Sequence, residues 1–349
     1  MLKALNFQLI YNDYVAQIHY RKDTELPWRR LKKDGGYIRY VTGKGKRVSK
    51  KSRLRIESLG IPPAWKDVVI SSSPRDYIQA IGTDARGRKQ YIYHPEWIKR
   101  SQEKKFDQMI NFGERLPTLR KAVKTHMHER GLTRDRVVAT VIWLLEHTFI
   151  RVGNKTYADQ NQSYGLTTMR EKHVRVRDNT VKFSFLGKSG VWHDLDVTNS
   201  TVAKNIKDCL DLPGYQIFQY IDEDDKKQAV DSMDVNEYLQ THTGADFSAK
   251  DFRTWGGSVL AGESLYQKGN GDTKNDIKNN ISEVVTIVST HLGNTKRVCR
   301  TYYIHPVIIK SYERKILVPH FERSYSKKSS KNLSLSPEEY ATWSLIKDS

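Results

Sequence analysis

Cysteine is nearly absent from this chain: Cys209 and Cys299 are the only two among 349 residues. Two thiols so far apart are too few for a disulfide framework and lack metal-ligand spacing, which predicts a reducing, intracellular compartment. Long apolar runs are missing as well. None approaches the roughly 20 residues that span a bilayer, so no membrane partner is expected. The first seven residues carry one lysine, a short apolar patch and no small-residue cleavage site, which makes a poor signal peptide. No internal repeat is evident. Acidic residues are in deficit, 40 Asp and Glu against 59 Lys and Arg, for a net charge of +19. Such a balance points to a polyanionic partner bound in a salt-dependent way. With no long basic amphipathic helix to lie on a lipid surface, nucleic acid is the expected polyanion.

A phosphate-binding loop is also lacking. Gly187-Lys188-Ser189 has the ending of that motif, but its first glycine would fall on Lys182 and a strand follows instead of a helix. His126 and His128 form an H-x-H pair with no third ligand in sequence, and are read as a solvated helix face. No metal site is expected.

The hydrophobic period divides the chain. Residues 1–96 read as β-rich. A strand is expected over 37–41 after Gly35-Gly36, then the basic turn Thr42-Gly43-Lys44-Gly45-Lys46-Arg47, whose charge Lys50-Lys51-Ser52-Arg53 extends. Pro62-Pro63-Ala64-Trp65 forbids regular helix. The turn Asp84-Ala85-Arg86-Gly87-Arg88 leads into Lys89-Gln90-Tyr91-Ile92-Tyr93-His94, whose alternation puts Lys89, Tyr91 and Tyr93 on one face. A basic turn joined to tyrosines and a glutamine suits groove contact with DNA, although a half-buried aromatic strand has the same pattern. From residue 97 the period becomes helical. Helices are expected over 97–112, 116–129 and 134–150, a three-stranded meander over 173–177, 180–186 and 191–197, and a helix and short strand over 198–210 and 215–221. Capping boxes at Asp234-Val235-Asn236-Glu237 and Ser248-Ala249-Lys250-Asp251 open further helices, Asp272 starts another that Gly293 ends, and Thr295 caps the next. The fold class is therefore α+β: a small β-rich N-terminal domain (1–96), a larger, mostly α-helical domain carrying the meander (97–323), and a Lys/Ser-rich tail (324–349) with a short helix opened by Ser336-Pro337-Glu338-Glu339.

The chemistry centres on Asn294-Thr295-Lys296-Arg297-Val298-Cys299-Arg300-Thr301-Tyr302-Tyr303-Ile304-His305-Pro306. A phenol has a reference pKa of about 10 and is a poor nucleophile unless cations stabilise the phenolate. Tyr303 is thus either a core aromatic or an attacking group. Attack on a phosphodiester needs cations for the phosphoryl oxygens, a proton donor for the leaving alkoxide and an activated phenol. Guanidiniums suit the first role and a lysine on a turn the second.

Five segments resemble the type IB DNA topoisomerases of the compact bacterial and poxvirus branch: Ile150-Arg151-Val152-Gly153-Asn154, Phe185-Leu186-Gly187-Lys188, Asp251-Phe252-Arg253-Thr254-Trp255, Leu292-Gly293-Asn294-Thr295 and Tyr303-Ile304-His305-Pro306. Ile61-Pro62-Pro63-Ala64-Trp65 and Gly82-Thr83-Asp84-Ala85-Arg86-Gly87-Arg88-Lys89-Gln90-Tyr91 extend the resemblance into the N-terminal region, in the family's order. Taken singly, Lys188 is a solvated turn lysine and each arginine an ion-pair partner; their joint occurrence in order is what weighs.

The resemblance implies a C-shaped clamp on duplex DNA, acting as a monomer, with a catalytic domain like that of the tyrosine recombinases. It implies Tyr303 as the nucleophile forming a 3′-phosphotyrosyl bond, Arg151 and Arg253 as phosphate clamps and Lys188 as general acid. Asn294 falls where members carry histidine or asparagine and would donate to a non-bridging oxygen; His291, a helical turn earlier, is the weaker match on spacing. Arg88, Lys89, Gln90, Tyr91, Tyr93, Asn154 and Tyr157 are implied DNA contacts. Neither ATP nor a metal cofactor is implied, and the setting is the cytoplasm: the nucleoid in a bacterium, the virion or host-cell interior for a virus. The alternatives are a tyrosine site-specific recombinase and a non-catalytic architectural DNA binder.

Overall fold

The computed structural model describes residues 18–19, 25–32, 38–85, 87–326 and 334–349. Residues 1–7, Gly35-Gly36, Tyr37, Arg86 and residues 327–333 of the Lys/Ser-rich stretch lie outside the described residues. The chain divides into two compact units, Met1–Lys105 and Phe106–Ser349.

In the first unit, β1 (Trp28–Lys32), β2 (Ile38–Val41), β3 (Lys66–Ile70), β4 (Ile78–Thr83) and β5 (Lys89–Tyr93) form one antiparallel sheet in the order β2-β1-β3-β4-β5. Its core joins Val68, Ile70 and Ala80 to Ile56 of α1 (Lys50–Ser58). The expected basic turn lies just before that helix, its Gly45 N–H donating to the Thr42 carbonyl at 2.9 Å, whereas the helix itself, opening on the charged run Lys50–Arg53, was not expected. Ser49 caps it by accepting from the Ser52 N–H, and Arg53 pairs with Glu57 at 2.7 Å. Ile56 is its only buried residue, so a charged sequence conceals the helical period. Two N-terminal motifs meet at Gly82, where a Cβ would come within 2.7 Å of the Trp65 ring. Arg30 donates to the carbonyls of Ile61, Pro62 and Trp65, which fixes the proline segment against β1.

α2 (Pro95–His126) starts in the first unit and continues into the second. It replaces two expected helices, because Pro117 does not break it. Phe106, Met109, Phe112, Leu116, Leu119 and Val123 form one buried stripe on both sides of the proline, and this packing outweighs the local cost of the missing N–H. The second unit continues with α3 (Arg134–Thr148), α4 (Lys155–Asn161) and the meander β6 (Val174–Arg177), β7 (Thr180–Leu186) and β8 (Trp192–Thr198), paired in that order. Then come α5 (Ser200–Leu210), the hairpin β9 (Gln219–Ile221) and β10 (Lys227–Ala229), and α6 (Ser232–Thr243). The expected strand over 215–221 is shortened to its last three residues.

α7 (Ala249–Lys268) is the centre of this unit. It touches α3, α6 and the later helices α8 (Lys274–Leu292), α10 (Pro306–Glu313), α11 (Leu317–Ser326) and α12 (Pro337–Lys347). Residues 252–259 of α7 are buried without a break, as a central helix requires. Between α8 and α10 lies the short α9 (Lys296–Tyr302). Ser248 with Asp251 and Ser336 with Glu339 form the expected capping boxes. Two other starts shift: Asp231 caps α6 with Asp234 at its third position, and Thr273 caps α8 with Asp276. The spacing Asp231-x-x-Asp234-x-x-Glu237 offers two registers, and sequence alone does not choose between them. α12, expected within a separate tail, packs into the second unit with Ala341, Trp343, Leu345 and Ile346 buried.

The protein is thus mixed α/β, mostly helical with small antiparallel sheets. Among the described residues no helix is long and apolar enough to cross a membrane.

Candidate active site

Tyr303 closes a short, firmly anchored segment. α8 ends at Gly293, which adopts the left-handed conformation with φ of 57°. Thr295 then caps α9 by accepting from the Val298 N–H, and Cys299 faces the core fully buried. Tyr303 is the C-cap, its N–H bonded to the Cys299 carbonyl at 2.9 Å. Beneath it, α7 supplies two contacts that need specific residues. A Cβ on Gly257 would lie 2.8 Å from the Tyr303 carbonyl oxygen, and Ser258 accepts the His305 N–H at 2.9 Å. Tyr303 is half-buried against this core while its neighbour Tyr302 is exposed. Lys296, Arg297 and Arg300 are exposed on α9.

Arg151 follows α3, which ends at Phe149 in the left-handed region (φ 55°). The Arg151 and Val152 carbonyls accept from Leu166 and Thr167 at 2.9 and 2.7 Å. A Cβ on Gly165 would come within 2.5 Å of the Arg151 carbonyl oxygen, so glycine permits this crossing. The Arg151 side chain donates to Asn294 Oδ1 at 2.6 Å and to the Gly293 carbonyl at 3.3 Å.

Arg253 on α7 is 3% exposed. It donates to the Phe149 carbonyl and, at 2.6 Å, to the Leu292 carbonyl, which ties the ends of α3 and α8 together. Its guanidinium carbon lies 5.2 Å from the centre of the Tyr303 ring, and it hydrogen-bonds the phenol. Gly256 makes room for this arrangement, since a Cβ there would collide with the Phe149 ring at 2.0 Å.

Four of the sequence-derived residues, Arg151, Arg253, Asn294 and Tyr303, therefore converge. Burial first, and then the charge of Arg151, pulls the Arg253 pKa below its ordinary value; burial also lowers that of Arg151, with Tyr303 opposing in both cases. Two buried donors, Arg253 Nε and Asn294 Nδ2, have no hydrogen-bond partner. Because a guanidinium only donates, Asn294 must turn its oxygen to Arg151 and its NH2 away. A cluster that is positive, desolvated and left with orphan donors is built to receive an anion.

Lys188 stands apart from these four. It is exposed at the turn between β7 and β8, its ammonium 5.9 Å from the centre of the Tyr157 ring. Tyr157 in turn lies close enough to raise the pKa of Arg151. Asn154 caps α4, its side-chain oxygen accepting from the Tyr157 N–H at 2.9 Å, so it positions Tyr157. His291 is exposed, and its Nδ1 turns back to the Ile287 carbonyl at 3.0 Å.

In the first unit, Tyr91 and Tyr93 stack at 5.8 Å with ring planes 8° apart, Tyr93 stacks on Trp97 at 4.6 Å, and the Lys89 ammonium is 5.5 Å from the Tyr91 ring centre. Arg88 and Gln90 both donate to Asp84, at 2.8 and 3.0 Å. Tyr91 is exposed, and the aromatic row continues one face of β5.

Residues 94–329 match the family described as eukaryotic DNA topoisomerase I, catalytic core, and residues 37–84 match the bacterial DNA topoisomerase IB N-terminal domain. DNA topoisomerase 1B of Acanthamoeba polyphaga mimivirus is 33% identical over 291 residues, covering 81% of this chain and 87% of that protein. The chain belongs to the type IB DNA topoisomerase family. More distant topoisomerases align in part. The Monkeypox virus enzyme is 29% identical over 42% of this chain and 48% of its own length. That of Mycosarcoma maydis is 27% identical over 57% of this chain but 22% of its own length. As a topoisomerase, the protein is an isomerase that acts on DNA.

Sequence reasoning missed several residues of this topoisomerase that shape the cluster. Gly256, Gly257, Ser258 and Phe149 act through contacts between distant segments. His193 was missed too. It faces Phe185 across β7 and β8 and stacks on it at 4.9 Å. Its ring fills the space beside Gly187 and Gly293, where a Cβ would come within 2.6 and 2.8 Å of the ring. It thus wedges the turn of Lys188 against the turn of Asn294. Burial first, then Arg151 and Arg253, pushes its pKa down. The one sequence signal is its place opposite Phe185, each four residues from Ser189 in the turn.

Proposed function

We propose that Tyr303 is the nucleophile of the topoisomerase reaction. The phenol oxygen attacks a DNA phosphodiester, the new bond from tyrosine oxygen to phosphorus replaces the bond to the 5′ oxygen, and the departing alkoxide takes a proton from Lys188. A 3′-phosphotyrosyl intermediate and a 5′-hydroxyl strand result. That strand rotates about its intact partner, and reversal reseals it. Arg151 and Arg253 carry the charge that builds on the non-bridging oxygens, and Asn294 donates to one of them. Lys188, exposed on its turn beside Tyr157, reaches the leaving oxygen once DNA is bound. The phosphotyrosyl bond conserves the bond energy, so the reaction needs no ATP, and the guanidiniums do the work a Lewis acid would do.

The observation that carries this reading is the pair of buried, unpartnered donors, Arg253 Nε and Asn294 Nδ2, in the cluster that holds the Tyr303 phenol. Both are donors, and the non-bridging oxygens of a phosphate are acceptors that would satisfy them. We propose further that the aromatic and basic face of β5 holds duplex DNA, with Arg88 and Gln90 exchanging Asp84 for it, and that the chain works as a monomeric clamp.

Tyr303→Phe tests the assignment. The variant is expected to bind duplex DNA with near-normal affinity, to form no covalent adduct on denaturing gels and to relax no plasmid. Normal relaxation by this variant would show the nucleophile to lie elsewhere. The wild type is expected to relax a plasmid without recombination sites through a ladder of topoisomers, in EDTA and without ATP.

A further inference from the structure

Away from the active site, three metal-type donors come together from three helices. His126 is the last residue of α2, Asp135 lies in the first turn of α3, and His242 is in the last turn of α6. One ligand atom of each lies within 4.8 Å of the other two, and all three residues are half-buried. The His126 Nδ1 is 2.6 Å from the hydroxyl of Tyr238, which is itself 2% exposed. With Nδ1–H donating to that oxygen, the lone pair is left on Nε2, the usual way in which a ligating histidine is oriented by its outer partner. Nε2 lies 4.0 Å from Oε1 of Glu129, a fourth donor at the edge of the cluster. The rings of His126 and His242 meet edge to face at 5.1 Å, and Tyr238 lies 4.1 Å from His242. His128, the other half of the H-x-H pair, turns to the Lys124 carbonyl at 2.7 Å and takes no part. The third ligand that the sequence lacks locally is supplied by the fold.

We propose that His126, His242 and Asp135, with Glu129 or water completing the set, bind a divalent transition-metal ion of the zinc class. Two imidazoles and one or two carboxylates are borderline donors that suit a four-coordinate zinc ion. Donors around such an ion stand about 3.3 Å apart, given bonds of about 2.0 Å. Separations of up to 4.8 Å therefore close by at most about 1.5 Å through side-chain rotation. α3 runs about 20 Å from Asp135 toward Arg151, so the ion takes no part in the DNA chemistry. It acts as a clip joining the end of α2, the start of α3 and the end of α6, and so steadies the helix from which Arg151 extends.

The full-length protein, stripped with chelator and dialysed, is titrated with Zn2+ by calorimetry and melted with and without it; Co2+ serves as a spectroscopic probe. One Zn2+ per chain is expected, with a rise in melting temperature of roughly 5 °C at 100-fold excess over the dissociation constant. Co2+ should give the visible absorption of a tetrahedral ion. His126→Gln and His242→Gln should lose uptake and shift together, while His128→Gln keeps both. Plasmid relaxation by the stripped wild type should equal that of the loaded protein. Absence of stoichiometric uptake by the wild type would overturn the proposal, and so would uptake that survives both His126→Gln and His242→Gln. The wild-type titration stands whether or not a variant folds.

Discussion

The guanidinium of Arg253 lies over the ring of Tyr303, its carbon 5.2 Å from the ring centre, with Nε buried and unpartnered. The same side chain ties the Phe149 and Leu292 carbonyls together. A lysine at this position could supply charge but not a planar fork that serves two carbonyls and a phosphate at once. Arg253→Lys should therefore lower single-turnover cleavage by about 10²- to 10³-fold, with much less effect on noncovalent DNA affinity. Quenched-flow measurement of adduct formation checks this. A variant within tenfold of wild type would place the phosphate away from Nε.

His193 joins the turn of Lys188 to the turn of Asn294 by filling the space beside Gly187 and Gly293. Truncation would leave both turns without their common support, and misplacement by about 1 Å can cost about 10²-fold in rate. His193→Ala should lower the cleavage rate by that order while DNA binding stays within a few-fold. His193→Phe keeps a ring of similar outline without a titrating group. It should restore most of the rate, and its activity should fall less steeply below neutral pH. If alanine and phenylalanine behave alike, the wedge is not what positions Lys188.

What the sequence conveyed about this site and what it hid have different physical origins. Local signals were legible: Ser248 with Asp251 opens α7, Thr295 caps α9, and the alternation of the meander puts Lys188 at a turn. These depend on residues a few positions apart. Gly256 and Gly257 were not legible, because their need for a missing Cβ arises from Phe149 and Tyr303, which are distant in sequence. The helices expected over 97–112 and 116–129 are one for the converse reason: the local preference of Pro117 is real, but the buried stripe of α2 overrides it. α1 was hidden because one buried residue, Ile56, gives no period. The dismissal of the H-x-H pair rested on ligands close in sequence, whereas Asp135 and His242 arrive from other helices.

Glu339 anchors the C-terminal helix to the helix that carries Arg253. It accepts from Arg120 at 2.6 and 3.0 Å and from the Trp255 indole at 3.2 Å, while Arg120 also pairs with Glu146 at 2.7 Å. Removing one member of such a buried group strands its partners. Glu339→Ala should cost roughly 3 kcal/mol in urea denaturation. A loss below about 0.5 kcal/mol would mean that Glu146 alone satisfies Arg120.

His305 gives the fold a defined acid sensitivity. It is 8% exposed, and its Nδ1 accepts the Val307 N–H at 3.2 Å, capping α10. Burial first, then Lys310, pushes its pKa down from 6.5 to about 4; burial, Lys172 and Arg170 do the same for His173. Both rings are neutral in the folded protein near neutral pH. As pH falls below 6.5 the unfolded chain takes up protons that the folded one refuses, so stability drops until about pH 4, where the folded rings protonate as well and this loss stops. Each histidine contributes on the order of 3 kcal/mol across that window. His305→Asn retains a capping side chain without a titrating ring. Urea unfolding at pH 7 and pH 4.5 should therefore show a smaller difference for the variant than for wild type. Equal differences would mean that the ring at position 305 takes up its proton in the folded chain as it does in the unfolded one.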